Sequence, residues 1–221
     1  MLLIPFGIII AAYLIGSIPT SYIVGRLAAG IDIKEHGSGN VGASNLTSQV
    51  GAKWAAPVVV FDVLVKGSLL VYIVSEKALG LGIGMEVGVA ITVVAGHNWS
   101  VFSGMHGGRG MATMLGATLF LNLPLLIIYG AVPALGVLFT PWKDSAVWFF
   151  VAIIFFPLWA VILNLPVELV MYAVAVALVT AAKRMTSNSL RDNNGKISAR
   201  LLLVRLVFDR DIADRKDWIE Q

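Results

Sequence analysis

The stretch "GHNWSVFSGMHGGRGMAT", residues 96–113, sets three glycines, Gly107, Gly108 and Gly110, around a single arginine, Arg109. Glycine has no Cβ to hold a ligand away from the backbone, so such a cluster marks main chain that turns sharply or approaches something closely. Arg109 adds a permanent, planar positive charge whose donors suit phosphate. A helix beginning near Met111 would turn its first amides and the positive end of its dipole to the same place. Together these features point to a bound anion. A role as a membrane-edge anchor accounts for the arginine but not for its glycine neighbours. His97 stands at the head of the stretch, placed either to bond a phosphate or to cap the preceding helix and hold the loop. Asn98 follows it, and Trp99 fits the interfacial aromatic belt of a membrane protein.

A second polar stretch, "EHGSGNVGASN" at residues 35–45, has the same character. Gly37, Ser38, Gly39 and Asn40 offer consecutive unobstructed N–H groups, a hydroxyl and an amide, with a further amide at Asn45. Runs of this kind form anion-binding concavities, although Gly, Ser and Asn also build ordinary tight turns. His36 and His106 read as solvated loop residues. No histidine–carboxylate spacing resembles a metal site, so neither a metal nor another cofactor is expected. The chain has no cysteine, which excludes disulfides and thiolate chemistry. Asp62 and Lys66 lie at i, i+4 inside an apolar run, where ionisable groups are costly. That spacing predicts a structural ion pair that orients the helix toward the loops.

The elements that position these loops follow from composition. The 221 residues are 58% hydrophobic and 13% charged, against about 25% charged in soluble domains. Mean hydropathy is +0.86. The chain therefore reads as an all-α, polytopic membrane protein. Seven apolar runs, near 3–25, 55–75, 86–102, 111–122, 123–140, 146–163 and 165–182, are candidates for transmembrane helices. The fourth is short for a crossing of about 30 Å, and a five-span chain with the third and fourth runs re-entrant is the alternative. The first run has no basic start and is too long for a secretory signal, so it is expected to stay as a span.

Charge sets the expected orientation. Up to Ala182 there are seven Lys/Arg and seven Asp/Glu, and from Lys183 onward nine and six. The surplus therefore sits in the tail, which suggests a membrane surface rather than nucleic acid. With the N-terminus outside, Arg26, Lys34, Lys53, Arg109, Lys143 and the tail all fall in the cytoplasm, as the positive-inside rule requires. Both glycine-rich loops then lie on the cytoplasmic face. The division expected is a transmembrane domain over 1–183 and a basic cytoplasmic tail over 184–221. Within the tail, Ile197, Leu201, Val204 and Phe208 form one apolar stripe flanked by Arg200 and Arg205, the pattern of an interfacial helix.

The segments "YLIGSIPTSYIVGRL", "GSGNVGASN", "FDVLVKG" and "GHNWSVFSGMHGGRGMAT" together resemble the bacterial acyl-phosphate-dependent glycerol-3-phosphate acyltransferases, from about Tyr13 to Lys183. That resemblance implies a seven-helix enzyme of the bacterial inner membrane with a cytoplasmic active site. It implies acyl transfer from acyl phosphate to glycerol 3-phosphate, giving lysophosphatidate and phosphate for phospholipid synthesis, with no cofactor. By the resemblance, Ser38 and Arg109 are the catalytic residues. Gly37, Gly39, Asn40, Asn45, His97, Gly107, Gly108 and Gly110 form the phosphate-binding set. Two departures stand out: Arg109 replaces the family's lysine, and Ser48 stands where an arginine is usual. A relative that binds a lipid or phosphate ligand without turnover is the alternative. A transporter is the third reading, disfavoured because its polar features would gather at mid-membrane.

Overall fold

The structure is a computed structural model that describes residues 3–186 and 198–212. Every regular element among the described residues is helical. Helices α1 (Leu3–Gly16) and α2 (Thr20–Ala29) form one apolar run. It is interrupted at Pro19, which has no N–H to continue the ladder. After the first polar loop come α3 (Ala43–Val50) and α4 (Ala52–Val74). Then follow α5 (Ile83–Asn98), the second polar loop, α6 (Met111–Leu121), α7 (Leu123–Phe139), α8 (Ser145–Ile162), α9 (Val167–Thr186) and α10 (Ala199–Phe208).

Among the described residues, four stretches are long and apolar enough to cross a membrane: Leu3–Ala29, Ala52–Val74, Ser145–Ile162 and Val167–Thr186. Helix α6 has 11 residues and at 1.5 Å per residue spans only about 16 Å. Large apolar side chains such as Phe6, Leu64, Leu138, Phe139, Val167 and Leu178 stand exposed along these helices. Water would not tolerate so much apolar surface, whereas lipid requires it, and helices satisfy every backbone group internally there.

The chain divides into two compact units. The first comprises Met1–Leu123 with Pro166–Tyr172, and the second Pro124–Leu165 with Ala173 onward. In the first unit, glycine sits at two helix crossings. A Cβ on Gly16 would overlap the Val93 carbonyl, and one on Gly96 would overlap the Tyr13 carbonyl, so α1 and α5 touch backbone to backbone. Gly67 and Gly116 do the same for α4 and α6, and Ser68 Oγ donates to the Gly116 carbonyl at 2.8 Å. Small residues that admit close backbones, with a polar bond across the seam, are the means by which helices associate in lipid.

Helix α4 is not uniform. Over Phe61–Leu69 it widens to π geometry, following Pro57 within the same helix. The wide turn carries Asp62, Lys66 and Gly67 on its buried side. Beneath the first loop, Ile33, Val41, Leu46, Ala55 and Val58 form a small core.

In the second unit the Tyr129 ring packs against Phe149 and Phe156, with centroids 6.3 and 5.2 Å away. Lys143 Nζ donates to the Val137 and Leu138 carbonyls, a cation closing the negative end of α7. The tail helix forms where the stripe predicts it, with Ser198 Oγ accepting from Leu201 N at its start; Ile197 lies outside the described residues. Arg200 is exposed, as expected of the stripe's flank, but Arg205 is not. Arg205 is buried rather than turned to headgroups, and its guanidinium meets Asp211 Oδ1 and Oδ2 at 2.7 and 3.1 Å. Arg210 pairs with Asp144 at 2.6 Å. Arg184 reaches the Leu206 carbonyl at 2.9 Å and the Ala146 carbonyl at 3.3 Å. Arg205 directly follows Val204 of the apolar stripe, and Asp211 completes a pair that allows it to turn inward.

The glycine seams give a direct test. Gly116→Val drives a side chain into the Val63 carbonyl, and overpacking of this kind costs about 1–3 kcal/mol or more. Gly130→Ala, in α7 where a Cβ meets nothing within 4 Å, should be neutral or stabilising by up to about 1 kcal/mol. Thermal unfolding of both variants in the same detergent separates the two outcomes.

Candidate active site

The first polar loop is organised around Asn45. Its Oδ1 accepts from Ser38 N at 3.2 Å, and its Nδ2 lies within 3.1 Å of the carbonyls of Ile33, His36 and Asn40. One buried amide thus satisfies four backbone groups of a loop with no regular ladder of its own. Gly37 and Gly39 take left-handed φ values of +58° and +66°. A Cβ on Gly37 would also strike the Asn45 Oδ1. Upstream, Asp32 caps the turn Ile33–Glu35 and pairs with Arg26 at 2.7 Å. Desolvation pushes the Asp32 carboxyl up, but the Lys34 N–H and the charges of Lys34 and Arg26 outweigh it and hold it below its ordinary value. Ser38 is half-buried, its Oγ 3.4 Å from Asn40 N. Asn40 Oδ1 is buried and has no hydrogen-bond partner among the described residues. Ser48 turns back on its own helix, its Oγ donating to the Asn45 carbonyl at 2.8 Å.

The second loop leaves α5 at Asn98 and returns as α6. Tyr13 OH donates to the Trp99 carbonyl at 2.6 Å, and Ser100 Oγ donates to the Ser17 carbonyl, tying the loop's start to the end of α1. Its far end folds back on α5, where Gly108 N donates to the His97 carbonyl at 3.1 Å. A Cβ on Gly107 would overlap the His97 and Asn98 carbonyls. One on Gly108 would overlap the His97 ring at Nε2 and fall 3.1 Å from the Val41 carbonyl. Gly110, at φ +71°, is the residue from which α6 starts and has no side chain to cap it. Gly107, Gly108 and Gly110 are buried, and Arg109 is half-buried between them.

Val41 and Gly42 belong to the first loop, so Gly108 is where the two loops touch; a Cβ on Gly42 would lie 3.9 Å from the Gly108 Cα. The two glycine-rich stretches therefore form one polar site at the ends of α2, α5 and α6. Behind it stands the buried pair. Lys66 Nζ lies 2.8 Å from Asp62 Oδ1 and 2.6 Å from the Ile18 carbonyl, which the break at Pro19 leaves accessible. Thr20 Oγ1 donates to the same Asp62 oxygen at 2.9 Å. Asp62 Oδ2 lies 3.8 Å from His97 Nδ1, which also sits 3.3 Å from Thr113 Oγ1. Lys66, Asp62, His97 and Gly108 thus form a continuous chain from the middle of α4 to the second loop. Thr20, Thr113 and Asn98 have no role assigned from the sequence. Their one signal there is a polar side chain next to a glycine cluster or a proline break.

A family model described as glycerol-3-phosphate acyltransferase matches residues 6–193. Glycerol-3-phosphate acyltransferase 5 of Dehalococcoides mccartyi is 33% identical over 219 residues, covering 96% of this chain and 91% of that one. The glycerol-3-phosphate acyltransferase of Alkaliphilus metalliredigens is 44% identical over 121 residues, covering 55% of this chain and 60% of its own. Among solved structures, PlsY, an integral membrane glycerol 3-phosphate acyltransferase, superposes in its glycerol 3-phosphate form with a TM-score of 0.73. The identity is 26%, over 90% of this chain and 98% of that one.

The ion pair makes a sharp stability test. Asp62→Ala leaves Lys66 buried with only neutral partners, and removing one member of a buried pair costs about 3–5 kcal/mol. The double variant Asp62→Ala/Lys66→Leu should recover most of that loss in unfolding measurements. A double variant as unstable as the single one would mean that the pair holds the fold through something other than charge balance.

Proposed function

The chain belongs to the glycerol-3-phosphate acyltransferase family, and from that premise we propose a reaction and an assignment of its loops. The acyl donor is an acyl phosphate, and the acceptor is the 1-hydroxyl of glycerol 3-phosphate. The hydroxyl oxygen forms a bond to the acyl carbon, the carbon–phosphate oxygen bond breaks, and the phosphate leaves carrying the hydroxyl proton, with lysophosphatidate as product. Both substrates carry phosphate, and the observation that supports the reading is the meeting of two glycine-rich loops at Gly108. An acyl phosphate is already activated, so holding the two substrates in line and neutralising the departing charge supply most of the rate.

In this reading Gly107 and Gly110 bring backbone amides to the donor's phosphoryl group, Gly108 packs the loop on His97 and the first loop, and Arg109 neutralises the phosphoryl group as it leaves. Ser38 and Asn40 face the acceptor, Ser38 through its hydroxyl and Asn40 through its amide. Asn45 holds the first loop in shape, since both of its polar atoms are engaged with that loop's backbone. His97 supports the second loop on its Gly108 side. Asp62 and Lys66 are satisfied by each other, by Thr20 and by the Ile18 carbonyl, which argues for a structural pair rather than a transport relay. We further propose seven membrane crossings, with α6 a short one, the N-terminus outside, and both loops and the tail in the cytoplasm of a bacterial inner membrane. The Lys/Arg distribution supports that orientation.

Purified protein given acyl phosphate should release inorganic phosphate only when glycerol 3-phosphate is present. Arg109→Ala should lose about 2–5 kcal/mol of transition-state stabilisation, the cost of leaving a buried charge without its partner. Arg109→Lys should recover part of it, because the charge returns without the planar fork. Release by the alanine variant at the parent rate would remove the loop from the chemistry.

Orientation is checked separately. Cysteines introduced by Ser44→Cys and Ser103→Cys should resist an impermeant thiol reagent in intact cells, while Gly82→Cys reacts. Labelling of the first two would reverse the topology.

A further inference from the structure

Helix α3 carries Asn45 and Gln49 one turn apart, so the two amides share a face. Both close on Gly37, whose φ of +58° favours glycine and where a Cβ would overlap Asn45 Oδ1 and fall 2.5 Å from Gln49 Nε2. The two amides do different things there. Asn45 is buried and spends both polar atoms on the loop backbone. Gln49 is exposed, and its carboxamide makes one hydrogen bond among the described residues, from Nε2 to Ser48 Oγ at 3.3 Å. Ser48 Oγ is itself anchored by its bond to the Asn45 carbonyl. Holding a glutamine side chain in one place costs rotamer entropy. Here it is laid against Gly37, one residue before Ser38, with a carbonyl oxygen and an N–H still to be matched. The Ser38 Oγ accepts from Asn40 N and, among the described residues, donates to no group.

The chemistry of a carboxamide narrows the ligand. It donates, accepts and carries no charge, which matches a hydroxyl. A phosphate only accepts and is anionic, so a cation or a set of backbone amides suits it better. We propose that Gln49 is a substrate-contacting residue that reads the free 2-hydroxyl of the acceptor. The inference rests on the acyltransferase reading, in which Ser38 faces glycerol 3-phosphate, and adds to it a basis for choosing that acceptor. The two hydroxyls of glycerol 3-phosphate sit on adjacent carbons. With the 2-hydroxyl held at Gln49, the 1-hydroxyl is presented beside Ser38. A site that bonds a hydroxyl disfavours an analogue without it, since its own polar group then loses a match. Gln49 is exposed and water offsets part of that loss. The preference expected is therefore about fivefold, the scale of one neutral hydrogen bond.

The test compares two acceptors on the full chain in detergent, with acyl phosphate as donor. One is glycerol 3-phosphate and the other is propane-1,3-diol monophosphate, which lacks the 2-hydroxyl. The parent should prefer glycerol 3-phosphate by about fivefold in kcat/KM. Gln49→Met, close in length but apolar, and Gln49→Ala should bring that ratio near one. The change should lie in KM for glycerol 3-phosphate, with KM for acyl phosphate little altered. A parent that releases no phosphate with either acceptor would overturn the acyltransferase reading and this inference with it. A parent that uses both acceptors equally well would sink the inference alone. So would variants that lose activity on both acceptors in the same proportion, because the side chain would then only buttress Gly37. If neither variant folds, as judged by unfolding temperature, the carboxamide is a structural part of the loop and the inference fails as well.

Discussion

Gly108 is wedged between the imidazole of His97 and the carbonyl of Val41, in a space that admits no Cβ. That exclusion brings the two polar loops together. If the wedge were wider by one methyl group, residues 35–45 and 96–113 would be separate turns at neighbouring helix ends. Each would have some affinity for anions and neither would have a partner. The contact is backbone against backbone and ring. The arrangement suits a reaction between two phosphorylated molecules, whose like charges must be brought close.

Holding such a contact at a helix end is difficult, since loops lack the ladder that fixes helices. Two devices supply the rigidity. Asn45 ties four backbone groups of the first loop into one buried amide. The second loop is braced from below by His97, whose Nδ1 faces both Thr113 and Asp62. Asp62 is in turn fixed by Lys66 and Thr20. A buried ion pair contributes little net stability once desolvation is counted. Its value here is directional, because a paired carboxylate cannot rotate freely and the imidazole in front of it inherits that orientation. The π-helical turn in α4 serves the same end by placing Asp62, Lys66 and Gly67 together on the buried side. Gly67 admits α6 to backbone contact while Asp62 faces His97 and Lys66 faces the Ile18 carbonyl.

Much of this was legible in the sequence, for identifiable reasons. Apolar runs announce helices because lipid leaves no alternative, and glycine clusters announce close approach because few other needs justify their entropic cost. The i, i+4 spacing of Asp62 and Lys66 announced their pairing. What was hidden depends on contacts distant in the chain. Asn98 looks like any polar residue at a helix end until the loop is seen folded over it. Arg205 sits beside an apolar stripe and reads as solvent-facing, and only the fold brings Asp211 and the Met185 carbonyl to its guanidinium. The bonding of Asn45 was hidden for a related reason. An amide in a Gly/Ser-rich loop suits a phosphate and a turn equally well, and only its hydrogen bonds assign it to the loop.

The two departures from the family pattern also become intelligible in these terms. Ser48 lies exposed on α3 and bonds only to its own helix, so the positive charge usual at that position has no local substitute on the same face. Arg109 stands on the other loop with a longer reach and more donors than lysine, half-buried where the loops converge. A guanidinium can address two oxygens of one phosphate at once or one oxygen of each of two. The Gly108 contact sets the two loops side by side, with the half-buried Arg109 next to it in the chain.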